Sequence, residues 1–484
     1  MKRMLALLAL FGTVPGIQAQ DTAPPSQTET ARSPMPDAAA QKAAEKLVRD
    51  VFKAEYARRA PADQQALAVK LINEATAAKD DPAARFVMLR EAREISIQAG
   101  SPETAFQSID LLGKYFEGET SSMRLATLAA LGKSVQSPEA CRSLVSEAVR
   151  QSGWFASQND YVAAEKSLVH GDGAARRIKE ASLSSRIQVR LKEIQDVHRE
   201  YVRVKGMLKT LEEKPDDAAA NLGVGKFLCF VKGEWDRGLP MLARGSEATL
   251  RTVAAKDLES PPEPSGRVAA GDGWWDLCEK QSGGLRNACR ERALQCYKQA
   301  WKGLEGAARM RVRGRFRSVF ARPAAPAPSK EAGRVPAHWA TPTQGKMNVG
   351  LDEGFAFSGR FSVRTEGTPD VSEIFSVMKP AVPGKQYVLT AVVMTDGTDG
   401  ASSMGLLFWK SGTKEGADWP RVQMPPDQPW WTPVEGVFTC PADKDEMQVG
   451  IDTRYAKGRT WIDDVSLKAV GSDVELAENG SFDR

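Results

Sequence analysis

The sequence predicts a multidomain α and β protein, an N-terminal α-helical array followed by a C-terminal antiparallel β-sandwich. Three observations carry that prediction. Residues 37–322 are rich in Ala, Leu, Glu, Lys and Arg at helical spacing, with Gly and Pro as punctuation. Residues 323–335, PAAPAPSKEAGRV, form a Pro/Ala linker of extended, semi-rigid type. From residue 336 to 484, short alternating runs rich in β-branched and aromatic residues are separated by Gly, Pro and Asp.

Taken in order, residues 1–19 combine two early cations, an apolar run from Met4 to Phe11 and small residues near Ala19. This is the pattern of a cleavable secretory signal. No stretch approaches the roughly 20 apolar residues that spanning a bilayer needs, and no Cys follows the cleavage region. The expected location is therefore outside the cytoplasm, periplasmic or extracellular, with no transmembrane segment. Residues 20–36 are rich in Pro, Ser, Thr and Gln without apolar periodicity and read as a disordered leader.

Within 37–322, DPAARFVMLREAREISIQAG (81–100) is representative. Asp81 and Pro82 open a helix, Phe86, Leu89, Ile95 and Ile97 supply its apolar side, and Gly100 closes it. SPETAFQSIDLLGKYFEG (101–118) follows at once, and such short connections predict antiparallel neighbours. A theme of small, large, small recurs as Ala164–Leu168–Gly171, Gly238–Leu242–Gly245 and Ala293–Tyr297–Ala300. Small residues at those offsets let a second helix approach. A long helix is expected over about 182–213.

Net charge divides unevenly. From Pro336 onward 14 Lys and Arg stand against 21 Asp and Glu, so a chain of net charge +4 carries +11 before that point. Much of the excess lies in ARMRVRGRFRSVFAR (308–322), with six arginines. Nucleic-acid binding is one reading of such a run, but an exported chain rarely meets nucleic acid, so the expectation is a solvated helix end. The six cysteines show no zinc spacing, and Cys440 stands alone in its region. Among Cys278, Cys289 and Cys296 a disulfide is permitted but not required.

In the last part, QYVLTAVVMT (386–395), MGLLFWKS (404–411), VEGVFTCP (434–441) and MQVGIDTR (447–454) read as strands, and six of the eleven tryptophans lie here. In GRTWIDDVSL (458–467), alternation places Asp463 on the side of Val465 and Leu467. A carboxylate there must be paired, hydrogen-bonded or metal-bound.

Two family resemblances follow from these residues. NLGVGKFLCFVKGEWDRGLPMLARGS (221–246), and AAGDGWWDLCEK (269–280) with ERALQCYKQAWKGL (291–304), resemble tetratricopeptide helix pairs. Their small positions fall 74 and 55 residues apart rather than at a repeat near 34. SGRFSVRTEG (358–367), VPGKQYVLTAVV (382–393), WWTPVEGVFTCP (430–441) and RTWIDDVSLKAV (459–470) in that order resemble the jelly-roll carbohydrate-binding modules of secreted glycan-active enzymes. Such modules usually open with a strand written N-G-x-F-[DE]. Here ENGSFDR (478–484) ends the chain instead, either as a relocated first strand or as the start of a truncated second module.

The second resemblance implies glycan binding, with Trp409, Trp419 and Trp430 as candidate stacking platforms, because they lie near turns or strand ends. Asp418, Lys410 and Gln423 are nearby polar groups. Trp431 and Trp461 sit at positions the family uses for packing. It also implies a structural calcium shared by Asp483 and Asp463, the alternative being that Asp463 accepts backbone amides. No nucleophile elbow, HExxH, phosphate loop or metal cluster is present, and His170 and His198 lie on charged helical stretches. The expectation is a non-catalytic exported binding or scaffold protein, its helices for an unidentified protein partner and its sandwich for a polysaccharide or other glycan. The alternatives are a purely structural or assembly factor, or a helical-toroid polysaccharide lyase or hydrolase with an appended β-domain.

Overall fold

A computed structural model describes residues 32–259, 263–322, 332–341, 349–367, 371–399, 402–413, 418–454, 457–472 and 474–483. The expected signal peptide, and most of the leader and of the Pro/Ala linker, lie outside the described residues. The chain divides into two compact units, residues 1–248 and 249–484.

The first unit is helical. Its elements are α1 (Ala38–Val51), α2 (Lys53–Tyr56), α3 (Pro61–Ala77), α4 (Pro82–Ala99), α5 (Pro102–Tyr115) and α6 (Ser121–Ser134). They continue as α7 (Pro138–Ser157), α8 (Tyr161–Arg177), α9 (Ala181–Glu213), α10 (Ala218–Lys226) and α11 (Trp235–Leu242), with a π-helical turn at Phe227–Lys232. Local chemistry sets the starts. Asp37, Asp81, Ser137, Asp160 and Asp217 each accept the amide three residues on, satisfying an otherwise orphaned donor. Pro61, Pro82, Pro102 and Pro138 occupy first helical positions. The predicted helix over 81–100 is α4, ended by Gly100 in the left-handed conformation.

Antiparallel neighbours α3–α4 and α7–α8 pack extensively. The small positions act as expected. A Cβ on Gly171 would lie 2.8 Å from that of Ala148 on α7, and one on Gly238 would strike Cys229 at 2.4 Å. Helix pairing is therefore built on close backbone approach. The pairs recur, but the repeat spacing stays irregular.

The second unit joins four helices to the sandwich. These are α12 (Ala248–Leu258), α13 (Pro264–Glu279), α14 (Gly283–Ala300) and α15 (Gly306–Phe320). The strands are β1 (Trp339–Ala340), β2 (Val349–Asp352), β3 (Ser362–Glu366), β4 (Val371–Ser376), β5 (Lys379–Pro380) and β6 (Gln386–Asp396). Then follow β7 (Ser402–Trp409), β8 (Arg421–Gln423), β9 (Thr432–Thr439), β10 (Glu446–Arg454) and β11 (Arg459–Ala469). One sheet runs β1-β4-β10-β7-β8, with β5 beside β10. The other runs β2-β3-β11-β6-β9. Every ladder between these strands is antiparallel. Ile374, Leu406, Phe408, Val449 and Ile451 of the first sheet meet Val363, Leu389, Val393, Ile462 and Leu467 of the second in one core. All six cysteines are buried and outside any disulfide.

The arginine run is not a solvated helix end. Arg309, Arg313 and Arg317 recur every four residues on one face of α15. Arg309 and Arg313 hold Asp427, Arg313 at 2.8 Å, while Arg313 and Arg317 hold Asp396. Arg311 and Arg315 pair with Asp272 of α13. The opposite charges of the two parts of the sequence thus meet inside one unit, which spacing along the chain could not show.

Candidate functional site

Strand alternation sorts the six-stranded sheet into two faces. Ile374 on β4, Met447, Val449 and Ile451 on β10, and Met404, Leu406 and Phe408 on β7 enter the core. The intervening residues therefore form the outer face: Glu373 and Phe375, then Glu446, Gln448, Gly450, Asp452 and Arg454, then Ser403, Gly405, Leu407 and Trp409. Register brings them into rows. Glu446 lies opposite Trp409, Gln448 opposite Leu407, Gly450 opposite both Gly405 and Phe375, and Asp452 opposite both Ser403 and Glu373. On the edge strand, Arg421 faces Gly405 and Gln423 faces Ser403.

Gly450 is the floor of this face. A Cβ there would lie 2.9 Å from Phe375 Cε1 and 2.9 Å from Trp419 Cζ2, so Trp419 lies on the sheet itself. Its ring meets Phe375 at 5.6 Å between centroids. The guanidinium groups of Arg421 and Arg454 sit 4.6 Å and 5.0 Å from the Trp419 centroid. Beneath them is Asp452, fully buried, which holds Arg421 at 3.1 Å and also takes Arg454 and the Ser403 hydroxyl. Arg454 reaches on to Glu373 at 2.8 Å, whose carboxyl burial pushes upward in pKa while Arg454 lowers it.

Trp409, at the end of β7, is half-buried. The indole N–H groups of both Trp409 and Trp419 find no acceptor among the described residues. Beside Trp409 the face ends in a cavity of about 270 Å³ lined by Met378, Lys379, Pro380, Ser411, Asp445 and Glu446.

The structure thus brings Trp409 and Trp419 to one face and sends Trp430 elsewhere. Trp430 packs on Phe316 at 5.0 Å and meets Trp301 edge-on at 6.0 Å, with Lys298 Nζ 5.5 Å from its centroid. Its ring anchors α14 and α15 to the sandwich. Trp461 is buried against Phe355, and Trp431 is half-buried against Phe357.

Asp463 is buried, but not on the side that simple alternation assigns. Asp463 pairs with Val392 and Ser466 with Thr390, leaving Asp464 and Val465 together opposite Ala391. This is a β-bulge, with Asp464 at φ 49°. Upstream of it Ile462 enters the core, and downstream Val465 and Leu467 do. Asp463 therefore lies on the outer face of the five-stranded sheet, beneath the loop from Asp352 to Phe361. One of its oxygens accepts the amides of Phe357 and Ser358 at 2.8 and 3.0 Å, and the other that of Asp464 at 2.8 Å. Burial nevertheless dominates, and its pKa is pushed up to about 7.

Asp483 accepts from Arg360 and Phe361 of the same loop. Gly359 stands at φ 48°, where a Cβ would overlap the Asp483 carboxylate. A calcium ion takes oxygen ligands, whereas the groups converging on both oxygens of Asp463 and on one oxygen of Asp483 are N–H donors. Asp463 thus has both oxygens committed to backbone amides. The segment 478–483 forms no strand. It turns, with Asn479 and Phe482 at positive φ, and Gly480 O accepts the Val465 amide at the bulge. Phe482 still plugs the core, fully buried and 5.3 Å from Trp339.

No protein-family model matches the chain, and no curated protein matches it. Solved structures that match part of the chain include carbohydrate-binding modules. One is a family 16 carbohydrate-binding module, 16% identical, covering 26% of this chain and 89% of that one, with a TM-score of 0.21. The module TmCBM61, solved with β-1,4-galactotriose, is 14% identical over 29% of this chain and 97% of its own, with a TM-score of 0.20. The CBM22-1 xylan-binding domain of Paenibacillus barcinonensis Xyn10C is 14% identical over 29% and 91%, with a TM-score of 0.22. Each match covers less than a third of this chain.

Sequence reasoning missed Phe375, Gln448, Asp452, Arg421 and Arg454 on the outer face. For three of them the signal was present, since alternation along MQVGIDTR puts Gln448, Gly450, Asp452 and Arg454 on one side. Which side faces outward depended on the strands that β10 joins.

Proposed function

We propose that the β domain binds a glycan on the outer face of its six-stranded sheet, and that the protein is an exported, non-catalytic binding protein. The observation that carries this reading is the arrangement around Trp409. It is a half-exposed indole at the end of an apolar–polar face, with Glu446 and Gln448 beside it and Phe375 and the caged Trp419 further along. Sugar rings present apolar C–H surfaces to aromatic rings and hydroxyls to carboxylates, amides and guanidinium groups. Such a face supplies all of these from adjacent strands. Trp419 is held between the sheet and two arginines and shapes the face, while Trp409 supplies the stacking surface. The helical pairs, tetratricopeptide-like in their small–large packing, offer a surface to a protein partner.

The test is retention of the full chain on a panel of insoluble polysaccharides. Trp409→Ala should abolish retention and lower thermal stability less than Trp430→Ala does, because among the described residues no aromatic ring packs on it whereas Phe316 and Trp301 pack on Trp430. Retention equal to wild type after that change would refute the site. Folded protein retained on no polysaccharide would favour the structural or assembly reading.

A further inference from the structure

The loop from Asp352 to Phe361 is held on both of its polar sides. Its amides are taken in successive pairs by three carboxylates. Gly354 and Phe355 donate to Asp352, Phe357 and Ser358 to Asp463, and Arg360 and Phe361 to Asp483. Its carbonyls converge on a single side chain. The Arg322 guanidinium donates to Arg360 O at 2.8 Å and to Gly359 O at 2.7 Å, with Ser358 O 3.4 Å away. The backbone amide of Arg322 adds a bond to Gly354 O at 2.8 Å.

We infer that Arg322 is the resident cation of this loop, a guanidinium from the chain itself occupying the place where carbonyl oxygens and aspartates would otherwise gather a metal ion. The chemistry favours it on three counts. Three successive carbonyls point at one positive group, which a guanidinium with five donors in a planar fork satisfies better than water would. The aspartates behind them direct both oxygens of Asp463 and one oxygen of Asp483 at backbone N–H groups. Arg322 also follows α15 directly, so the same bonds fasten the end of that helix to the sandwich. The loop is thereby ordered by folding of the second unit rather than by divalent cation. This inference is independent of whether the outer sheet face binds glycan.

The experiment compares thermal melts of the full chain with EDTA, with calcium chloride and without additive, for wild type and Arg322 variants. A resident calcium ion at a hundredfold its Kd would make chelation lower Tm by roughly 5–10 °C. The wild type should show no shift in either direction. Arg322→Ala should lower Tm by roughly 5–10 °C, since charged hydrogen bonds to three carbonyls are lost. Millimolar methylguanidinium should restore part of that loss in the variant and leave wild type unmoved. Arg322→Lys, which keeps the charge but not the fork, should fall between the two. If the alanine variant does not fold, the lysine variant and its rescue serve the same purpose. A chelator-sensitive wild type, or an Arg322→Ala protein that melts with wild type, would overturn the inference.

Discussion

Replacing Trp430 with alanine separates an anchor from a platform. The ring packs on Phe316 and on the edge of Trp301, under Lys298. Truncating a fully buried Phe or Trp costs about 3–5 kcal/mol, and each aromatic pair adds about 0.5–1.5 kcal/mol beyond area. Trp430 is half-buried, so about 2–3 kcal/mol is the appropriate estimate. For a unit of about 150–250 residues each kcal/mol moves Tm by about 2–4 °C, giving a fall of roughly 4–12 °C. Differential scanning calorimetry of the full chain reads this directly, with Trp409→Ala as the comparison that should fall less. Polysaccharide retention should respond in the opposite order, lost in Trp409→Ala and kept in Trp430→Ala at temperatures where it is folded. A Trp430→Ala protein that melts like wild type yet has lost retention would refute the assignment.

Phe482→Ala removes a fully buried ring and should cost about 3–5 kcal/mol, read as a lower urea midpoint; an unchanged midpoint would mean that the C-terminal turn is not part of the core. Asp463 should titrate near pH 7, measured by carboxyl ¹³C NMR, because burial raises it from 3.8 to about 7. The sign follows from the folded state binding the proton more tightly than the unfolded chain. This group's contribution is fully present below about pH 4 and is lost as pH rises to about 7, so Asp463 should make the second unit less stable at pH 8 than at pH 5. A titration midpoint below pH 5 would contradict it.

Local chemistry along the chain was sufficient for the elements. The Asp81 cap, Pro82 beside it, the Gly100 stop and the long run over 182–213 appear in the helices as read, because each depends on residues within one or two turns. The longer strands β6, β7, β9, β10 and β11 were equally legible from alternation, whereas short ones such as β1, β5 and β8 were not. What only the tertiary structure decided is where those elements present their side chains. A single inserted residue at Asp464–Val465 reverses the faces of β11 and moves Asp463 from the core to a loop-covered outer surface, a period-two pattern being unable to announce its own interruption. Trp430 and the α15 arginines were equally unreadable, since their partners lie from 39 residues to more than a hundred away in sequence. Charge and ring type show that such groups need partners. Only the folded chain shows that Asp396, Asp427, Phe316 and the loop carbonyls at 358–360 supply them.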